Sequence, residues 1–273
     1  MDDFIKKLKN IEIQGAVSIA LASLEYLKSY SKRYGFGKKF DDECEKILKA
    51  RPTAVPLFNV ISELKKEKSE KKIDEIIEKI KLMEKKIPDI GEKIIKNNYV
   101  VHTHCHSSEA LSVIKEAAKK KKFTVVVDET RPKEQGIKTA KELSKIKNIR
   151  VILITDDAAG IALSPFIPPN DDVVIVGADC LRKEGIVNKI GTYILAVCAK
   201  ENKVPFYVVA STLKLDRRKK IIIEKRPASE VYRKLKSVEI LNYAFDITPW
   251  KYITAVITEK GIMKPRKIIN MIR

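Results

Sequence analysis

No apolar run in this chain approaches the roughly 18 residues a bilayer-spanning helix needs, which excludes a helical membrane protein. The opening Met1-Asp2-Asp3-Phe4-Ile5-Lys6-Lys7 lacks the layout of a secretory leader, so a cytoplasmic location is expected. The four cysteines, at 44, 105, 180 and 198, show no Cys-x-x-Cys spacing, which points to free thiols in a reducing compartment. No basic stretch is interleaved with aromatics as in the known nucleic-acid modules. Nucleic acid is therefore not the expected ligand, although the formal net charge is +19. Histidine is scarcest of all: three residues, His102, His104 and His106, bracket Cys105 within five positions.

The charge needs a different explanation. Lysine alternates with glutamate along helix-like stretches such as Leu64 to Lys86. This is the habit of solvated, ion-paired faces in heat-adapted proteins. A surplus of cations also suits an enzyme that gathers phosphorylated substrates.

Hydrophobic periodicity divides the chain. Residues 1–97 read as a helical domain, with one helix over Ala16 to Tyr34 and another carrying Ile73, Ile76, Ile77, Ile80 and Ile87 on one face. Pro88 and Gly91 are expected to end it. Residues 98–273 read as α/β. Apolar runs at 99–101, 123–127, 151–154, 173–176 and 205–209 alternate with helical segments, and β-branched runs such as Thr124-Val125-Val126-Val127 suit strands buried on both faces. The predicted fold class is α/β: a helical N-terminal domain followed by a doubly wound, mainly parallel sheet.

In such a sheet the residues after each strand converge on one edge. Cys105 follows the first strand, Asp128-Glu129-Thr130-Arg131-Pro132 the second, Thr155-Asp156-Asp157 the third and Gly177-Ala178-Asp179 the fourth. A thiol at a helix start is exposed to unpaired N–H groups and to the dipole, so a lowered Cys105 pKa is expected. An aspartate at a strand end equally suits the cap of the next helix. Three histidines at alternating strand positions would face one side and suit zinc, whereas a structural role for at least two of them is the plainer reading.

The strings His-Thr-His-Cys, Asp-Glu-Thr-Arg-Pro-x-x-Gln-Gly, Val-Gly-Ala-Asp, Asn-Lys-Ile-Gly-Thr-Tyr and Val-Pro-Phe-Tyr-Val occur here in that order. With Ala244-Phe245-Asp246-Ile247-Thr248-Pro249 and Ile257-Thr258-Glu259-Lys260-Gly261, they resemble one superfamily over residues 98–263. It contains methylthioribose-1-phosphate isomerases, ribose-1,5-bisphosphate isomerases and the regulatory subunits of translation initiation factor 2B. The resemblance reaches the N-terminal part only through Gln14-Gly15-Ala16 and Arg51-Pro52-Thr53-Ala54-Val55.

That resemblance implies an aldose–ketose isomerase acting on an aldose 1-phosphate, ribose 1,5-bisphosphate foremost, with no cofactor and no metal. Cys105 and Asp179 match the acid–base pair. Gln14, Gly15, Ala16, Arg51, Gln135, Asn188 and Lys189 match substrate contacts, and Lys214 matches a lysine placed near the second phosphate. One departure stands out: the isomerases carry arginine where this chain has Gln14, which cannot form a charged bidentate grip on phosphate. The alternative is a regulatory subunit that binds a translation factor, or a nucleotide or sugar phosphate, without catalysis. The resemblance further implies a homodimer.

Overall fold

The computed structural model describes residues 2–10, 12–13, 15–166, 172–220, 223–233 and 235–272. One-turn recurrence of apolar residues builds five helices in the first part: α1 (Asp2–Lys9), α2 (Ala16–Tyr34), α3 (Lys38–Ala50), α4 (Val55–Leu64) and α5 (Glu70–Gly91). Leu24, Leu27, Phe40, Leu57, Ile61, Leu64, Ile73 and Ile76 form their shared, solvent-free core. Each side chain of this size contributes roughly 1.5–3 kcal/mol on burial. Helix α2 spans the residues its pattern predicts and ends at Gly35, whose positive φ (66°) favours glycine.

Helix α5 runs through Pro88 and ends at Gly91, the two residues expected to punctuate the end of the helical region. The proline lies in the last turn, where its missing N–H forfeits only one helical hydrogen bond. Packing outweighs that loss, because Ile87 is buried against the sheet's own core with Ile95, Val113 and Ile114.

The second part continues with β1 (Val100–Thr103), α6 (Ser108–Ala118), β2 (Phe123–Asp128), α7 (Gln135–Leu143), β3 (Ile149–Ile154), α8 (Ala159–Ala162) and β4 (Val173–Gly177). Then come β5 (Cys180–Leu181), β6 (Gly185–Lys189), α9 (Thr192–Glu201), β7 (Phe206–Val209), β8 (Phe245–Pro249), β9 (Ala255–Thr258), β10 (Gly261–Met263) and α10 (Pro265–Ile272). Seven strands form one sheet in the order β10-β9-β7-β4-β1-β2-β3, all parallel except β10. The α/β class and the mainly parallel sheet are as predicted.

Strand side chains alternate between two cores. Val173 and Ile175 pack with α6 on one face, whereas Val174 and Val176 pack with α9 and α10 on the other. Both faces are covered, which is why these strands read as unbroken β-branched runs.

Two features escaped the periodicity. A small antiparallel sheet, β5-β6-β8, interrupts the strand–helix alternation after β4. Its first strand is two residues long, too short to leave a pattern, and Asn188 and Lys189 close its second strand just before α9. Strands β9 and β10 extend the main sheet beyond the last strand predicted.

The chain winds outward from β1 through β2 to β3, and from β4 through β7 to β9 in the other direction. Strand order therefore reverses between β1 and β4, and a crevice opens at the C-terminal ends of such a pair.

Candidate active site

Cys105 lies two residues beyond β1 and Asp179 two residues beyond β4. Adjacent strands are about 4.8 Å apart, so these positions face one opening. That opening is a cleft of about 610 Å³. Every described residue assigned to the site from sequence lines it: Gly15, Ala16, Arg51, Cys105, Gln135, Asp179, Asn188, Lys189 and Lys214. Gln14 lies outside the described residues.

The backbone presents Cys105 deliberately. It adopts a left-handed conformation (φ 69°), which takes it off the strand path before Ser107 caps α6 by accepting from the Ala110 N–H. The Cys105 N–H donates to Thr130 Oγ1 (2.9 Å), and its carbonyl accepts from Thr139 Oγ1 (2.9 Å). Thr130 belongs to the Asp-Glu-Thr-Arg-Pro turn, whose Thr130 and Arg131 N–H groups both donate to Asp156 at 2.7 Å. Gly136 lets α7 close on this turn, since a Cβ there would meet the Asp128 carbonyl oxygen at 1.6 Å.

Electrostatics at the pair agree with expectation on one side only. Burial raises the Asp179 carboxyl above its ordinary range against the pull of Lys214, Lys189 and Arg51. Cys105, expected to be lowered, is instead pushed up to about 11 by burial, with Asp179 and Asp156 adding to the rise. Lys189 and the His106 N–H oppose this without overcoming it. The helix start is there, but desolvation sets the direction of the shift.

The histidines do not supply the missing positive charge. His102 Nε2 lies 2.8 Å from Asp128 Oδ1, and His104 Nδ1 lies 2.9 Å from Asp128 Oδ2, both away from solvent. Burial would raise the Asp128 carboxyl, but the two imidazoles outweigh it and bring it down to about 2. Only His106 lines the cleft, with Nδ1 2.9 Å from Thr139 Oγ1. The three-histidine zinc arrangement is therefore not formed, because the left-handed turn at Cys105 sends the third ring elsewhere. His104, Asp128 and Asp156 do bring ligand-type atoms within 4.8 Å of one another. Those atoms already serve the hydrogen bonds described above.

The other predicted residues have distinct settings. Gly15 precedes α2 with no side-chain cap, leaving first-turn N–H groups of the helix for an anion. Arg51 donates to the Ile13 carbonyl (3.2 Å). Gln135 keeps a buried Oε1 without a hydrogen-bond partner. Asn188 donates to Thr192 Oγ1 (3.0 Å), and the Lys189 ammonium sits 5.0 Å from the Phe245 ring centroid. Lys214 is buried with its Nζ 2.5 Å from Glu109 Oε2.

Several cleft residues were not singled out from sequence. Lys138 and Lys133 line it from the α7 side, and Glu224, Arg226, Glu230 and Asn242 from the strap between β7 and β8. Arg226 is held by Glu230 through Nη2 (2.7 Å) and by Glu224 through Nη1 (3.1 Å). A strap with no periodic pattern gives no signal of which side chains turn inward. Arg131 was expected among the clustered groups; it is exposed and bonded to Glu134 and the Val231 carbonyl.

The chain resembles known proteins along most of its length. Residues 12–265 match the Initiation factor 2 subunit family. The chain is 38% identical to the ribose 1,5-bisphosphate isomerase of Archaeoglobus fulgidus, with 95% of this chain and 88% of that protein covered. It is 37% identical to the methylthioribose-1-phosphate isomerase of Acetivibrio thermocellus, covering 94% and 86%. Among solved structures, the translation initiation factor eIF-2B of Pyrococcus horikoshii aligns at a TM-score of 0.86 and 29% identity, covering 98% of both chains. The 5-methylthioribose 1-phosphate isomerase of the same organism aligns at 0.76 and 29%, covering 99% and 86%.

Proposed function

We propose that this chain, which belongs to the Initiation factor 2 subunit family, is an isomerase converting ribose 1,5-bisphosphate to the corresponding ketose 1-phosphate. The observation that carries the reading is the convergence of Cys105 and Asp179 on one cation-rich cleft at the strand switch point. Relatives named as ribose 1,5-bisphosphate and methylthioribose-1-phosphate isomerases support the reaction class.

The anomeric oxygen of an aldose 1-phosphate is esterified, so its ring cannot open as a free sugar's does. Asp179, whose protonated form burial favours, donates to the ring oxygen as the C1–O bond breaks. Cys105 as thiolate removes the C2 proton and returns it to C1. Asp179 recovers a proton from the C2 hydroxyl, leaving a ketone at C2 and the phosphate on C1. The proton count closes, and both groups end as they began. Burial keeps the resting thiol mostly neutral, so the reactive thiolate is a minority form and Lys189 is the cation that supports it.

Substrate choice follows from charge. Arg51, Lys133, Lys138, Lys189, Lys214 and Arg226 line the cleft, which suits two phosphates better than one phosphate and a thioether. The volume suits a ligand of that size. The exposed Tyr193, Ile194 and Val197 on α9, with Phe166 86% exposed nearby in sequence to α8, support burial against a second copy, as in a homodimer.

A second reading, a regulatory subunit that binds a translation factor or a sugar phosphate without turnover, draws on Gln14 and on the P. horikoshii eIF-2B likeness. Incubation of the purified protein with ribose 1,5-bisphosphate and methylthioribose 1-phosphate separates the two. Formation of ketose supports the enzyme, and no conversion of either sugar removes it.

A further inference from the structure

The histidine cluster takes no part in the chemistry above, yet His102, His104 and Asp128 are all buried directly behind it. His104 Nδ1 meets Asp128, and its Nε2 meets the Ile190 carbonyl oxygen at 2.8 Å. Ile190 immediately follows Lys189. Gly191 packs flat on the ring, where a Cβ would lie 2.9 Å from His104 Cε1, and it takes a φ of 102° that side chains rarely adopt. From the other side, Asp246 Oδ2 accepts from the Gly191 and Tyr193 N–H groups at 2.8 and 3.0 Å. The turn that presents Lys189 is thus pinned by His104 and Asp246 together. On the main chain, His104 is the residue before Cys105, whose N–H is held by Thr130, which in turn donates to the Asp128 carbonyl.

We propose that His104 is a positioning residue that couples two sides of the cleft: its backbone places Cys105, and its imidazole places Lys189. The inference rests on the isomerase reading for its link to turnover, but the coupling itself is measurable without turnover. The charged groups facing Cys105 are Lys189 from β6, Asp179 beyond β4 and Asp156 beyond β3. Those around His104 are Asp128 from β2, Asp156 beyond β3 and Asp246 from β8. Of the charged groups facing Cys105, Lys189 is the one that favours its thiolate, so moving its turn withdraws that support.

Two isosteric variants separate the two ends of the ring. His104→Asn keeps an amide where Nδ1 faces Asp128 and loses the Ile190 contact, whereas His104→Gln places its amide where Nε2 was. The readout is iodoacetamide alkylation of Cys105 at fixed alkaline pH, followed by mass spectrometry of its peptide, since alkylation tracks the thiolate fraction. His104→Asn is expected to slow alkylation about tenfold, the effect of one unit in thiol pKa, and to lower kcat about a hundredfold. His104→Gln is expected to recover most of both. In a Lys189→Met background, His104→Asn is expected to add almost nothing to the alkylation change. Unchanged or faster alkylation in His104→Asn, equal losses in both variants, or additive effects with Lys189→Met would each overturn the coupling. A wild type that alkylates as described but isomerises nothing would sink the isomerase reading and leave the coupling standing. If His104→Asn does not fold, Lys189→Met alone still tests the proposal: it is expected to slow Cys105 alkylation about tenfold, and a wild-type rate would overturn the coupling.

Discussion

The carboxyl of Asp128 and the imidazole of His104 are 2.9 Å apart and out of contact with solvent, directly beneath the cleft. Because His102 occupies the other carboxylate oxygen, Asp128 is the fixed point from which the Cys105 loop and the Lys189 turn are both hung.

Asp128 is lowered from 3.8 to about 2 by its imidazole partners. Between those values the unfolded chain binds more protons than the native one, so stability rises with pH there. It is fully present above pH 4 and is lost as pH falls through about 2, by an amount on the order of 2 kcal/mol. Urea unfolding across pH 2–5 should show this slope in wild type. Asp128→Asn should lose that share of the slope and be less stable at pH 7.

Asp246 should behave with the opposite sign. Burial pushes its carboxyl up to about 6 against the Tyr193 and Gly191 N–H groups and His104. The native state then holds the extra proton between pH 4 and 6, so stability falls as pH rises through that window. Asp246 Oδ1 is also buried without a hydrogen-bond partner. Asp246→Asn should flatten the decline, and an unchanged pH 4–6 profile would contradict the assignment.

Lys214 should read the far substituent of the sugar. Its ammonium is buried and balanced by Glu109, which also accepts from the Ser211 N–H at 3.1 Å. A charge-assisted hydrogen bond to phosphate contributes about 1.5–3 kcal/mol. Lys214→Met should therefore raise KM for ribose 1,5-bisphosphate by roughly 10- to 150-fold, with far less effect on methylthioribose 1-phosphate. Equal effects on the two substrates would place the lysine elsewhere. Glu109→Gln leaves a buried cation unbalanced and should cost about 3 kcal/mol in chemical denaturation.

Gly136→Ala should be poorly tolerated, because the added methyl meets backbone rather than a movable side chain. A loss of at least about 2 kcal/mol is expected, read as a fall of several degrees in Tm. Gln135 and the Thr130 turn should shift with it, lowering activity beyond what stability explains.

Much of this was legible in residues. The β-branched runs of β1, β2 and β4 announced a doubly covered sheet, and Cys105 and Asp179 could be placed at its edge because both closely follow such runs. Asn188 and Lys189 were assigned to the site by their motif, whereas the small sheet that carries them gave no signal, since two-residue β5 is too short to register as a strand. The thiol was misjudged for a different reason. A helix start is visible in sequence, whereas the desolvation that sets the direction of the shift depends on what folds over the cleft. Asp128 could not be identified as the partner of two histidines, because that pairing is made across neighbouring strands. Arg226 and Glu224 come from a strap without periodicity, and only folding shows which way they turn.

The most direct test follows C2-to-C1 proton transfer by NMR in wild type, Cys105→Ser and Asp179→Asn, with ribose 1,5-bisphosphate as substrate. The account predicts ketose formation by wild type and a loss of at least about a hundredfold in each variant, with unfolding midpoints close to wild type. Conversion that survives either substitution, or a wild type that leaves the sugar unchanged, would contradict it.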